Sequence, residues 1–175
     1  METVWTQLAA QLELAELIVA GDALVRRRFP LCTPDRLRAV VDALPRGTRG
    51  AAALRAAIGQ LRAGTDSCME TRLRLLLLSS GLPSPAVNRP VLDRGGRIVA
   101  RADLSYPSAR IAVEYDGDIH RVDRETWQRD IARRRALDAL GWRTITWTAE
   151  DLRHPDSALS ALRHALIESA RMQTS

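Results

Sequence analysis

Apolar residues recur at helical spacing through the first third of the chain. Trp5, Leu8, Leu12 and Ala15 fall three or four residues apart, and Leu14, Leu17 and Ile18 continue the apolar face. "CTPDRLRAVVDAL" adds an opening signal, with Thr33 as N-cap and Pro34 at the first helical position, where its missing N–H would be unpaired anyway. "GAAALRAAIGQLRAG" reads as a further helix, closed by Gly64. Residues 1–64 are therefore expected to form a helical accessory region. They contain no Gly-rich phosphate loop, zinc-ligand spacing or nucleophile elbow.

From Asp66 the pattern changes. "DSCMETRLRLLLLSSG" predicts a strongly apolar helix ending at Gly81, and "PSP" breaks the chain after it. "AVNRPVL", "RIVARADLSY" and "RIAVEYD" read as strands, joined by the short turns "DRGGR" and "PSA", which imply antiparallel hairpins. A helix over about 124–140 follows, stopped by Gly141, with Trp127, Ile131, Ala132, Ala136 and Leu140 able to face a sheet. "WRTITWT" is a fourth strand, rich in β-branched and aromatic residues, and a helix over about 155–170 comes last. The order α-β-β-β-α-β-α predicts an α/β domain over 65–175, with a mixed sheet flanked by helices.

Composition changes this picture in one respect. The chain is 46% hydrophobic, enough for a real core, and its formal net charge is +5. All 26 basic residues are Arg, with no Lys. Arg binds phosphate in bidentate fashion and stays charged, so a basic, Arg-only surface suits a polyanion such as nucleic acid. High-GC coding, which favours Arg over Lys, is an alternative source of the count. Cys32 and Cys68 stand alone, with no zinc-ligand spacing, and read as small buried residues of a reduced, cytoplasmic protein. No signal peptide is evident, and apolar runs such as "LLLL" at 75–78 are far too short to span a membrane.

The candidate chemistry lies at strand ends. Asp103 falls near the end of the second strand, and Glu114 and Asp116 end the third, where alternation puts both on one face. If those strands pair through the short turn, the carboxylates converge at one edge of the sheet. Two like charges about 4 Å apart repel by roughly 4 kcal/mol at an effective dielectric near 20. A divalent cation offsets that repulsion, and Mg²⁺ takes one or two carboxylates together with water and substrate phosphate. Singly, each carboxylate reads better as a turn or solvated strand end; converging from adjacent strands in this β-β-β-α-β context, together they read as a site. Glu70 is either a fourth member or the N3 residue of a capping box, reaching back to the Ser67 backbone. His120 follows the third strand closely, where a lone His is commonly a surface residue; His154 and His164 read as surface residues.

Together, "SCMETRLRLLLLSSGLPSP", "ARADLSYPSARIAVEYDGDIH" and "RDIARRRALDALGWRTITWTAEDL" resemble the PD-(D/E)XK nuclease superfamily. The branch they resemble is the one related to very-short-patch-repair endonucleases. The resemblance covers about residues 66–153, and "VEYDGDIH" is its most specific piece. It implies a restriction-endonuclease-like core and makes Asp103 and Glu114 metal ligands, with Glu70 as the acidic residue of the first helix. Asp116 stands where the superfamily's Lys usually falls, as is common in this branch. His120 becomes the substitute general acid/base, with an ordinary pKa near 6.5. "LAELIVAGDALVRR" resembles the segment that joins the nuclease-like part to the winged helix of type IV antitoxins. Here that segment comes almost at the N-terminus, so the winged helix is expected to be missing, and either a separate partner supplies site choice or none is needed.

Two readings follow. The first is a Mg²⁺- or Mn²⁺-dependent DNA endonuclease of repair or phage defence, in which Arg129, Arg133, Arg134 and Arg135 meet phosphate. A solvated helix face explains those arginines equally well, although three consecutive ones spread around a helix and at least one must point outward. The second is a nuclease-fold nucleic-acid binder acting in regulation or in a toxin–antitoxin system. An RNA-directed nuclease is a weaker third option, and homodimerisation rests on analogy alone.

Overall fold

The computed structural model describes residues 2–117 and 124–174, with side chains in the second stretch for 128 and 131–173. Its internal contacts divide the chain into two units, Met1–Leu75 and Leu76–Ser175. Eight helices and six strands occur among the described residues, giving a mixed α/β protein.

The first unit holds α1 (Glu2–Leu8), α2 (Leu14–Leu24), α3 (Pro34–Asp42), α4 (Ala51–Gln60) and the start of α5 (Cys68–Ser79). Trp5, Leu17, Ile18, Leu37, Val41 and Leu54 form its core. The Trp5 indole N–H is satisfied by the Leu17 carbonyl at 2.9 Å. Gly50 is the N-cap of α4, with φ +83°, and a Cβ there would sit 2.7 Å from the Ala9 carbonyl carbon. Both the conformation and the space therefore require glycine.

The Thr33–Pro34 start is present, with the Thr33 hydroxyl accepting the Arg36 N–H. Three expectations need correction. The apolar face that began at Trp5 is shared by two helices interrupted at 9–13, because helical spacing carries across a short break. Gly64 (φ +96°) lies beyond the end of α4 at Gln60 and does not close it directly. Cys32 is buried as expected, but Cys68, at the first position of α5, is exposed.

The second unit is built on a four-stranded mixed sheet, ordered β1 (Ala86–Val87), β4 (Leu104–Tyr106), β5 (Ile111–Tyr115), β6 (Arg143–Trp147). β1, β4 and β5 run antiparallel, and β5 and β6 are parallel, joined through α6 (Arg124–Ala139). A separate two-stranded ribbon pairs β2 (Pro90–Leu92) with β3 (Ile98–Arg101). The expected strands "AVNRPVL" and "RIVARADLSY" are thus each broken in two. The break has a local cause: Asn88 takes φ +44°, which Asn tolerates, and Pro90 brings no N–H to a ladder. The Asn88 N–H donates to the Asp103 carbonyl at 2.9 Å, and the Arg101 guanidinium donates to the Asn88 carbonyl at 3.0 Å. One long hairpin therefore bends out of the sheet into the ribbon at Asn88 and Asp103.

Ile111, Ala112, Val113 and Glu114 are buried in sequence, so β5 is covered on both faces. Ala112 shares a core with Ala100, Ala102, Val91 and Leu137 of α6. Leu137, fully buried, was not among the α6 residues expected to face the sheet, whereas Ala132 is exposed. Two helices end the same way. At Gly81 and Gly141, both left-handed, the next residue's N–H reaches back to Leu77 and Leu137 respectively, as in a Schellman motif. Trp142 then packs into the core that holds Leu137. Burial pushes the Tyr106 phenol up to about 12, and its hydroxyl donates to the Pro83 carbonyl at 3.1 Å. The short α7 (Ala149–Arg153) is additional; Thr148 and Asp151 form a capping box at its start. α8 (Asp156–Thr174) follows, and its Ser169 hydroxyl donates to the Ala109 carbonyl in the β4–β5 turn.

Candidate active site at the end of β5

The pairing of β4 with β5 sets Leu104 opposite Val113, Ser105 opposite Ala112 and Tyr106 opposite Ile111. The same register carried one step further sets Asp103, in the bend just before β4, opposite Glu114, and Glu114 shares the face of Ala112. The Asp103 carboxylate accepts the Tyr115 N–H at 2.9 Å, which ties the bend to the end of β5. On the other side of β5, Glu114 is paired in register with Thr146 of β6. The Asp116 N–H donates to the Trp147 carbonyl at 2.7 Å, extending the ladder, and its side chain is exposed.

Glu114 is buried, at 5% exposure, and its charge is met from α6. The Arg133 guanidinium donates to Glu114 Oε2 at 2.7 Å and to the Arg101 carbonyl at 3.4 Å. Arg133 is half-buried, whereas Arg134 and Arg135 are exposed. Of the consecutive arginines, then, the first serves Glu114 and the other two are open to an external anion. Sequence reasoning had grouped all of them as phosphate contacts. What separates them is helix phase, since Arg133 lies one turn before the buried Leu137.

The other expected site residues fall elsewhere. Glu70 is described within the first unit, where it is buried; its Oε2 accepts the Asp66 N–H at 2.9 Å, and its own N–H donates to the Ser67 hydroxyl. A capping interaction is therefore present, and it reaches Asp66. His120 lies outside the described residues, as does the Arg129 side chain. His154 and His164 are exposed, each within 3.5 Å of a Glu four residues away on the chain.

Among the described residues, no three of His, Cys, Asp and Glu are grouped to hold a metal ion. Asp103 and Glu114 are two hard oxygen donors set opposite each other in register, one accepting the Tyr115 N–H and the other Arg133. No helix among the described residues is long and apolar enough to cross a membrane.

No protein-family profile matches the chain, and no solved structure matches it significantly. Two curated proteins of Mycobacterium tuberculosis do: "Uncharacterized protein Rv2248" of strain ATCC 25618 / H37Rv and "Uncharacterized protein MT2308" of strain CDC 1551 / Oshkosh. Each is 29% identical over 170 residues, which make up 96% of this chain. The chain spans 61% of the length of these relatives.

Proposed function

We propose that residues 65–175 carry a restriction-endonuclease-like core and that the protein is a metal-dependent DNA endonuclease. The observation that carries this reading is the register that sets Asp103 opposite Glu114, beneath Arg133. Carboxylates facing each other at the end of a buried strand repel, and a site that gathers them together with a guanidinium suits a phosphodiester and a cation. The β-α-β crossover also places them at the carboxyl end of a central strand, a common position for ligands in α/β sheets.

Asp103 and Glu114 would hold the divalent ion, Mg²⁺ or Mn²⁺, which when bound supplies Lewis-acid polarisation of the phosphodiester and of water. The protein's own groups do the positioning. The Tyr115 N–H fixes the Asp103 carboxylate, and Arg133 fixes that of Glu114. Exposed Asp116, next along the β5 face, is placed to orient water or accept its proton. Arg134 and Arg135 give the DNA backbone a basic approach.

A second reading has its own support. Arg133 already balances Glu114, as it would in a nuclease-fold protein that binds nucleic acid without cutting it and acts in regulation or with a toxin partner. A nicking assay on supercoiled plasmid separates the two, run with Mg²⁺, Mn²⁺ or EDTA beside Glu114→Gln. Cleavage that requires metal and disappears in the variant supports the endonuclease. Plasmid binding with a steep salt dependence but no cleavage in any metal supports the binder.

A further inference from the structure

The chain's single phenylalanine is exposed. Phe29 keeps 83% of its surface open, follows three consecutive arginines and holds φ +52°, a left-handed backbone that bulky residues seldom adopt. An exposed aromatic ring and a strained backbone thus coincide at one residue, and the surrounding backbone keeps it there. The Leu31 and Cys32 N–H groups both donate to the Leu24 carbonyl, at 2.8 and 3.2 Å. The Arg26 guanidinium donates to the Phe29 carbonyl at 3.1 Å. The Arg27 N–H donates to Thr65, and the Gly64 N–H donates to Val25, which tethers the base of the turn to the 64–65 segment. Arg26, Arg28, Phe29 and Asp66 line an open hollow of about 350 Å³. Asp66 puts a carboxylate there, and its charge is met by an ion pair with Arg27.

We propose that this turn is a stacking platform for an unpaired base of a nucleic acid strand, with Arg26 and Arg28 on the flanking phosphates. A projecting ring offers its faces to a flat partner, and every base presents such a face. Within a duplex those faces are already stacked, so the substrate class is single-stranded or locally opened nucleic acid. An acidic peptide would satisfy the arginines, but it would leave the open faces of the exposed ring without a flat partner. The site uses none of Asp103, Glu114 or Arg133, and rests on the proposed function only in taking nucleic acid as the partner.

The test is binding by the full chain in EDTA, read by anisotropy of a short labelled single strand, of a hairpin duplex of the same sequence, and of a Glu-rich peptide. Phe29→Gly relieves the backbone conformation, so its thermal midpoint should stay level or rise. Its single-strand affinity should fall about tenfold, with little change on the duplex. Phe29→Trp should keep the affinity and quench a 2-aminopurine placed in the strand. Arg26→Ser with Arg28→Ser should lower the slope of log affinity against log salt by about 1.4. Single-strand binding by Phe29→Gly at the wild-type level, an equal loss on single strand and duplex, a loss confined to the peptide, or no binding by the wild type would each overturn the proposal. Plasmid nicking with unchanged Phe29→Gly binding removes this inference alone. Absent nicking with selective loss in Phe29→Gly removes the endonuclease reading alone.

Discussion

Each unit of this protein contains a carboxylate–arginine pair of almost the same length, in very different settings. Asp22 and Arg74, 2.8 Å apart, are both fully buried. Asp22 also takes the Arg62 N–H and the Thr71 hydroxyl, so several donors converge on one carboxylate. Glu114 and Arg133, 2.7 Å apart, are a buried carboxylate and a half-exposed guanidinium, with Asp103 next in register. A sealed pair of this kind is confined to holding its surroundings in one arrangement. A pair open on its cationic side, beside a second carboxylate, is the arrangement on which the proposed exchange of the guanidinium for a metal cation rests. The same two side-chain types thus read as scaffold in one place and as chemistry in the other.

The largest effect should come from the sealed pair. Arg74→Ala leaves Asp22 charged and buried, and should cost about 3–5 kcal/mol in urea unfolding. A cost near zero would mean that the pair is not sealed in solution. On the open pair, Glu114→Gln should cut metal-dependent nicking by about a hundredfold, equivalent to about 2.7 kcal/mol of barrier. The unfolding midpoint of that variant should move much less than that of Arg74→Ala. Next, Arg133→Ala should cost about 1–2 kcal/mol in EDTA. Mg²⁺ should then raise the thermal midpoint of Arg133→Ala more than that of the wild type, because a bound cation replaces the lost charge. Equal Mg²⁺ responses would argue against cation exchange at this site.

The smallest effect concerns pH. Burial holds the Asp22 carboxyl above its ordinary 3.8, against the opposing pull of the Arg62 N–H, Arg74 and Thr71. Between 3.8 and that raised value the folded state keeps a proton that the unfolded chain has released. The group's contribution is therefore fully present below 3.8 and lost as pH rises through the raised value. Asp22→Asn should remove that downward slope from a series of urea midpoints, leaving the slopes from other groups in place.

The short turn was enough to bring β4 alongside β5, with Glu114 near the end of β5. Arg133 was not legible in the same way. Three consecutive arginines cover most of a helix circumference, and the apolar residues around them, Ile131, Ala132, Ala136 and Leu137, do not single out one stripe. Only packing chose Leu137 and, with it, Arg133. The bend at Asn88 and Asp103 was masked because both sides of it carry strand-like composition. The Thr148–Asp151 capping box was visible in "TAED" and could have announced α7. In Phe29 the sequence shows an aromatic after three arginines, but a buried Phe would look the same in one dimension.

The bent hairpin also bears on how this protein tolerates change. Its tip, from Asp93 to Arg97, is a self-contained turn in which the Asp93 carboxylate accepts the Gly95 and Arg97 N–H groups. The ribbon beneath it is a sheet of its own, continuous with the main sheet through the bend and packed against Ala112 and Leu137 through Val91 and Ala100. An insertion or deletion at the tip would be taken up by β2 and β3 while the register of β4 against β5 stays in place. The hairpin can therefore vary in length and in the reach of Arg94 and Arg97 over generations, while the carboxylates at its base keep their alignment.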